Sequence, residues 1–196
     1  MGALPPSPKS ATPTLSSRIG WRGVVVNAEA RRLHSLLAQL PQRHSLLDLG
    51  CGTCAEFLIY FAAGAQRVCG VDWDQLALRA AQRVQRLHQV AWLRLIYADL
   101  REVAFAPHAF DAILIRHPDI ERAPSVWQAV LGRLPRWLKP HSRLLITTYS
   151  LSELAHMRAL CAAISALRAA PLDEQLLAPA ALSGRDSYAL CYALST

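Results

Sequence analysis

Short apolar runs alternate along the chain with longer segments whose apolar residues recur at helical spacing. The apolar runs predict strands at residues 45–50, 67–73, 92–99, 110–116, 142–150 and 187–195. The helical spacing predicts helices at residues 27–40, 53–64, 74–89, 123–134 and 151–170, with a break at Pro135. Strands separated by helices need crossover connections, so the pattern predicts an α/β fold with a parallel sheet covered on both faces.

The predicted helix at residues 74–89 has two distinct sets of side chains. Asp74 is its predicted N-cap. One set of apolar residues is predicted to face the sheet: Leu76, Ala80, Val84 and Leu87. A row of arginines falls on another face and is predicted to be solvated: Arg79, Arg83 and Arg86.

Composition indicates one globular domain. The 196 residues are 53% hydrophobic and 18% charged, and we expect a single domain at residues 18–196. Residues 1–17 are rich in Pro, Ser and Thr and predict a flexible tail. We see no secretory h-region and no apolar run near the roughly 20 residues that span a bilayer. We therefore expect a cytoplasmic protein with no membrane partner.

The charge and the cysteine spacing bear on three kinds of function: nucleic-acid binding, metal binding and thiol redox chemistry. The net charge of +7 comes almost entirely from scattered arginines, which is a weak signal for nucleic-acid binding. Five cysteines at irregular spacing predict reduced thiols and no metal site. Cys51 and Cys54 form a C-x-x-C pair, which redox enzymes also use, but small apolar side chains in a tight loop are the favoured interpretation.

Acidic residues and glycines follow the predicted strands. The run "GCGTCA" at residues 50–55 fits a G-x-G-x-x-A dinucleotide fingerprint, and Asp72 stands where a ribose-binding acid belongs, so a nicotinamide enzyme is one alternative. However, Asp48 would lie beside an anionic pyrophosphate, whereas it suits a ligand with an amino group or a sulfonium. Asp99 ends the third strand, where an adenine amine could be met. These acids favour S-adenosylmethionine.

The order of these motifs resembles the class I S-adenosylmethionine-dependent methyltransferases. "LLDLGCGTC" is similar to the family's first motif, "VCGVDWD" and "YADL" to its second and third, and "LPRWLKPHSRLLITT" to the stretch before strand five. The resemblance covers residues 27–196. It implies a Rossmann-like, three-layer sandwich with a mostly parallel seven-stranded sheet.

The resemblance also implies roles for individual residues around S-adenosylmethionine. The first motif would contact the methionine part through Asp48, Gly50, Cys51 and Gly52. The later motifs would meet the ribose and adenine through Asp72, Trp73, Asp99 and Leu100. Two places depart from the family pattern: Cys54 replaces a glycine of the loop, and His141-Ser142 replaces a glycine pair in the turn before strand five.

The segment after the fourth strand is expected to face the methyl acceptor. Arg116 is predicted to bind the cofactor or an acceptor carboxylate or phosphate. His117 is predicted to act as a general base, and Asp119 to orient either His117 or an acceptor amine. Trp127 and Tyr149 are weaker candidates for the acceptor pocket. We favour a small-molecule acceptor. RNA methylation, and a cofactor-binding protein without catalysis, are the alternatives.

Overall fold

A computed structural model describes residues 28–173 and 186–195. The predicted tail at residues 1–17 lies outside the described residues. The first half contains α1 (Ala28–Ala38), β1 (Ser45–Leu49), α2 (Phe57–Ala62), β2 (Arg67–Asp72), α3 (Gln75–Leu87) and β3 (Leu93–Tyr97). The second half contains β4 (Phe110–Arg116), α4 (Pro124–Leu131), α5 (Leu134–Trp137), β5 (Leu138–Thr148), α6 (Leu151–Ala162), β6 (Leu167–Ala169) and β7 (Tyr188–Leu194).

The sheet has seven strands in the order β3-β2-β1-β4-β5-β7-β6. The first five strands pair in parallel, and β7 runs antiparallel to both β5 and β6. This arrangement confirms the predicted Rossmann-like α/β fold with a mostly parallel sheet. The strand order reverses between β1 and β4, and such a switch point opens a crevice at the carboxyl ends of the strands.

Two apolar layers cover the sheet. Successive residues of β1 point to opposite faces, so that Leu46 packs with α1, α2 and α3 whereas Leu47 packs with α4, α5 and α6. β1 is buried along its whole length, as expected for a central parallel strand. Its carboxyl end therefore holds the loop that follows in a fixed position.

A polar cluster joins the amino ends of three strands, at the edge opposite that crevice. Asp111 accepts hydrogen bonds from the backbone amide and the hydroxyl of Ser45, both at 2.8 Å, and from Lys139 at 2.9 Å. Burial alone would raise the pKa of Asp111, but the hydrogen bonds from Lys139 and Ser45 outweigh it and hold the pKa below its usual value. This cluster fixes β1, β4 and β5 relative to one another.

Two predictions about the elements are wrong. The helix predicted at residues 151–170 ends at Ala162, and residues 167–169 form β6 because they pair with β7 at the sheet edge. The face of α3 predicted to be buried is exposed. Leu78 and Ala81 face the sheet instead. In the part of the chain that the structure describes, none of the helices has the length and apolar character needed to cross a bilayer.

Candidate active site

A cavity of about 300 Å³ lies at the carboxyl ends of the parallel strands. Its walls come from the loop after β1, the ends of β2 and β3, the loop after β4 and the helix α4. The lining residues are Gly50, Asp72, Trp73, Asp99, Leu100, Arg101, Asp119, Ala123, Val126 and Trp127. Most of the residues assigned to the cofactor from the sequence therefore meet at one place.

The glycine loop is held against β2 by its backbone. The amides of Gly50 and Cys51 both donate to the carbonyl of Val71, at 2.9 and 3.1 Å. Gly50 and Gly52 have φ angles of 75° and 54°, which favour glycine. A Cβ on Gly50 would lie 3.8 Å from the ring of Trp127, whereas one on Gly52 would meet nothing within 4 Å. The backbone at Gly52 is thus open to a ligand.

Cys54 also adopts a left-handed conformation, with a φ angle of 48°. This value explains why the family uses glycine at this position. The Cys54 side chain is fully buried in the core on the α1 side of the sheet and does not line the cavity. His141, the other departure from the family pattern, likewise has a φ angle of 63°, but it lies inside β5, where the pairing with β4 changes register, and not in a turn before the strand.

Asp72 connects the glycine loop to the start of α3. One carboxylate oxygen accepts a hydrogen bond of 2.7 Å from the amide of Gly52, and the other accepts one of 2.8 Å from the amide of Asp74. Each carboxylate oxygen can accept a second hydrogen bond, so both remain able to bind ligand hydroxyls. Asp74 itself caps α3 through the amides of Leu76 and Ala77. Asp72 is therefore positioned by backbone donors on both sides.

Asp99 is bound by Arg101, a residue that no motif in the sequence marks. The guanidinium contacts both carboxylate oxygens: Nε lies 3.1 Å from each, and Nη2 lies 2.6 Å from Oδ2. The hydrogen bonds from the Arg101 side chain and backbone lower the pKa of Asp99 to about 2. Asp99 is thus ionised at neutral pH, and Arg101 places a cation in the cavity wall beside it. The only feature of the sequence that indicates Arg101 is its position two residues after Asp99.

Asp48 lies beneath the glycine loop and not on the cavity wall. It is 2% exposed, and its carboxyl group accepts a hydrogen bond of 2.8 Å from the hydroxyl of Tyr60. Burial raises the pKa of Asp48 to about 7, although Tyr60 and Arg116 oppose the rise. The negative charge of Asp72 is also near enough to raise it. Asp48 is therefore poised to change its ionisation near neutral pH.

Arg116 occupies a buried ion network instead of the cavity wall. Its Nη1 lies 2.8 Å from Glu56, and its Nε and Nη2 donate to the two carboxylate oxygens of Asp186. Thr147 also donates to Asp186, at 2.5 Å. Burial would raise the pKa of Asp186, but contacts with His117 and Arg116 hold it well below its usual value. No motif marks Asp186, since 70 residues separate it from Arg116.

His117 belongs to the same network. Its Nε2 lies 2.8 Å from the backbone amide nitrogen of Asp186 and 3.0 Å from Oδ1 of that residue. The ring stacks on Tyr149 with a centroid distance of 4.0 Å. Of the three candidate catalytic residues, only Asp119 lines the cavity.

The cysteines lack the features of a reactive pair. All five are free thiols. A hydrogen bond with Cys54, and then burial, raise the pKa of Cys51, while burial raises that of Cys69 to about 11. Reactive thiols have lowered pKa values instead. In the described ranges, 28–173 and 186–195, no cluster of three or more His, Cys, Asp or Glu residues could hold a metal ion.

A comparison with protein families matches residues 46–141 to a methyltransferase domain. No curated protein sequence matches the chain. Among solved structures, the chain is similar to a ribosomal protein L11 methylase from Lactobacillus delbrueckii subsp. bulgaricus (14% identity, 87% of this chain, 80% of that chain, TM-score 0.64). It is also similar to an rRNA methylase from Streptococcus thermophilus (13% identity, 87% of this chain, 99% of that chain, TM-score 0.61).

A third similar structure is phosphoethanolamine N-methyltransferase 1 from Haemonchus contortus, with S-adenosylhomocysteine bound (15% identity, 62% of this chain, 26% of that chain, TM-score 0.52). The chain spans 66% of the length of the PH0226 protein from Pyrococcus horikoshii and 57% of that of the [4+2]-cyclase SpnF, which share its fold. The motif order, the strand order and the matched domain agree. The chain therefore belongs to the class I S-adenosylmethionine-dependent methyltransferase family.

Proposed function

We propose that this protein binds S-adenosylmethionine in the cavity and transfers its methyl group to a small molecule. The supporting observation is that Gly50, Asp72 and Asp99, from the ends of three adjacent strands, line one cavity. In parallel α/β sheets this edge is where ligands bind. The matched methyltransferase domain contains all three positions.

The cavity wall suits an adenosyl ligand. Asp72 offers two carboxylate oxygens for the ribose hydroxyls, and Asp99 offers an ionised carboxylate to the adenine amine. Trp73 lies beside them with 78% of its surface exposed, free to cover an aromatic ring. When bound, S-adenosylmethionine supplies a methyl group that its sulfonium has already activated. The protein must then align the acceptor and exclude water.

Asp48 suits the positively charged end of that ligand. The carboxyl group lies beneath the glycine loop and has a pKa of about 7. A neighbouring cation favours the ionised form of a buried carboxyl. We therefore expect the ionised fraction of Asp48 to rise when the ligand's ammonium or sulfonium binds nearby.

Acidic side chains at the cavity support a small, uncharged or amine-bearing acceptor. Asp119 is an exposed carboxylate in the wall, paired only loosely with Arg122 at 3.9 Å. Arg101, in the cavity wall, is bound to Asp99, and Arg116, in the buried network, is bound to Asp186. Because Arg101 in the cavity wall is already paired, the wall does not favour an acidic acceptor.

A methyl-transfer assay tests this proposal. Purified protein is incubated with S-adenosylmethionine carrying a radiolabelled methyl group, together with separate pools of small amines, small carboxylic acids and total RNA. We expect label in the amine pool, and less of it with Asp119→Asn. Label only in RNA, together with steeply salt-dependent RNA binding, would favour the RNA alternative.

A protein that binds the cofactor without methyl transfer is the second candidate. SpnF, which shares this fold, is named as a [4+2]-cyclase. The fold alone therefore does not specify the reaction. The departure at Cys54 motivated this alternative, but the side chain lies in the core and leaves the cavity clear. Binding of S-adenosylmethionine without turnover on any pool would favour this second candidate.

A further inference from the structure

Helix α3 presents an apolar stripe to solvent. Leu76 is 75% exposed, Leu87 is 78% exposed and Val84 is 38% exposed, and Ala80 between them is exposed as well. These four positions recur every three or four residues and share one side of the helix, roughly opposite Leu78 and Ala81. The stripe thus extends along about 17 Å of the helix axis.

A row of arginines runs beside the stripe. The row consists of Arg79, Arg83 and Arg86, all exposed, and residues 75–87 contain no acid. Across the part of the chain that the structure describes, none of the three forms an ion pair. The outer surface of α3 is therefore apolar along its crest and positively charged along one flank.

We propose that this surface of α3 docks on an anionic lipid bilayer, which replaces the expectation of no membrane partner that the lack of a spanning segment suggested. Apolar side chains on a helix that lies in the plane of a membrane insert between the headgroups, and arginines beside them bind lipid phosphates. The stripe is a convex ridge, which suits a deformable bilayer. The proposal is independent of the methyl acceptor.

The size and charge of the surface count against a protein occupant. A stable protein complex buries about 800 Å² and about 20–30 residues on each partner. The stripe and the arginine row together comprise seven side chains. In a two-fold dimer with antiparallel α3 helices, the arginine rows of both copies would lie along the same rim and repel. With parallel helices, each row would meet a helix face that has no acid.

Vesicle flotation tests the proposal with the full chain. The protein is mixed with phosphatidylcholine vesicles, or with phosphatidylcholine vesicles that contain phosphatidylglycerol, at low and at high salt. We expect flotation with the anionic vesicles at low salt and little with the others. The triple variant Arg79→Gln, Arg83→Gln, Arg86→Gln removes three lipid contacts. Because each arginine contributes about fivefold, its partition coefficient falls about a hundredfold.

Two further variants separate the stripe from net charge. Leu76→Ser with Leu87→Ser keeps all arginines, and we expect at least a tenfold loss of partitioning because apolar insertion is removed. The control variant changes three exposed arginines outside α3: Arg31→Gln, Arg136→Gln and Arg158→Gln. This control variant loses the same charge as the α3 arginine variant, and we expect it to keep most of the wild-type partitioning into anionic vesicles. Circular dichroism and affinity for S-adenosylhomocysteine verify that each variant is folded.

Three results would overturn the proposal. The first is no flotation of the wild-type protein with anionic vesicles. The second is an equal loss for the control variant and for the α3 arginine variant, which would mean that net charge acts without the stripe. The third is a change from dimer to monomer in light scattering for Leu76→Ser with Leu87→Ser, which would make the stripe a contact between copies of the chain.

Discussion

The amide of Gly52 donates a hydrogen bond of 2.7 Å to the carboxylate of Asp72. This contact joins the loop after β1 to the end of β2 at the point where the cavity opens. It means that the acid proposed to bind the ribose also sets the conformation of the glycine loop. Binding of an adenosyl group and the shape of the loop are therefore coupled through one side chain.

Replacing Asp72 with Asn is expected to weaken S-adenosylhomocysteine binding by tenfold or more. The substitution keeps the shape of the side chain but removes its charge, and a charge-assisted hydrogen bond contributes about 1.5–3 kcal/mol. Asp74→Asn is the matched control, because it removes a carboxylate two residues away and Asn is an equally good N-cap. Calorimetric titration of both variants measures the effect. Equal affinities would remove Asp72 from the site.

Asp48 is expected to make stability depend on pH. Its pKa is raised from 3.8 to about 7, so the folded protein holds this proton at pH values where the unfolded chain has lost it. The corresponding stabilisation is fully present below the unfolded pKa and is lost as the pH rises through about 7. The rise in pKa corresponds to about 4 kcal/mol.

Denaturant unfolding between pH 4 and pH 8 measures this contribution as the difference between the wild type and Asp48→Asn. That difference should change steadily up to about pH 7 and then level off. Tyr60→Phe removes a hydrogen bond that lowers the pKa of Asp48. This variant should therefore raise the pH at which the difference levels off. Parallel stability curves for the wild type and Asp48→Asn would contradict the assignment.

Breaking the ion network at Arg116 is expected to cost about 3–5 kcal/mol of stability, because it leaves buried carboxylates without a partner. Arg116→Met and Asp186→Asn should each destabilise strongly, and the double variant should lose less than the sum of the two. Arg122→Met is the control, since its side chain is 87% exposed and lies 3.9 Å from Asp119. Additive losses for the first pair would show that the contact is not coupled.

Gly70 is expected to be essential for packing beneath the glycine loop. A Cβ there would lie 2.8 Å from the sulfur of Cys51 and 3.2 Å from Leu95. Gly70→Ala should therefore destabilise by about 1–3 kcal/mol. Adding Cys51→Ala removes the nearest atom and should recover part of the loss. Gly132→Ala, whose nearest neighbours are at 3.6 Å, should be tolerated, and an equal cost at both glycines would refute the steric explanation.

Much of the fold was predictable because local pattern and tertiary structure agree. All the central strands are short apolar runs, and their carboxyl ends carry the acids that line the cavity. The sixth strand was missed because residues 167–169 lie within an alanine-rich stretch that favours helix, and only pairing with β7 makes them a strand. Sequence periodicity does not encode that pairing.

The orientation of α3 could not be read from periodicity. The helix has two apolar sides, and the larger residues, Leu76 and Leu87, form the exposed one. Contact with β3 selects the smaller side, where Gln85 donates to the carbonyls of Val90 and Leu93. The partners of the site residues were missed for a related reason. Asp186 is 70 residues from Arg116 along the chain, and the two meet only because β4, β5 and β7 are neighbours in the sheet.

The central claim is that Asp72 and Asp99 hold one adenosyl group in the cavity. Calorimetric titration of the wild-type protein with S-adenosylmethionine, S-adenosylhomocysteine and NAD tests it most directly. We expect the first two ligands each to bind at one site per chain and NAD not to bind. Binding of NAD, with no heat from either adenosyl ligand, would contradict it.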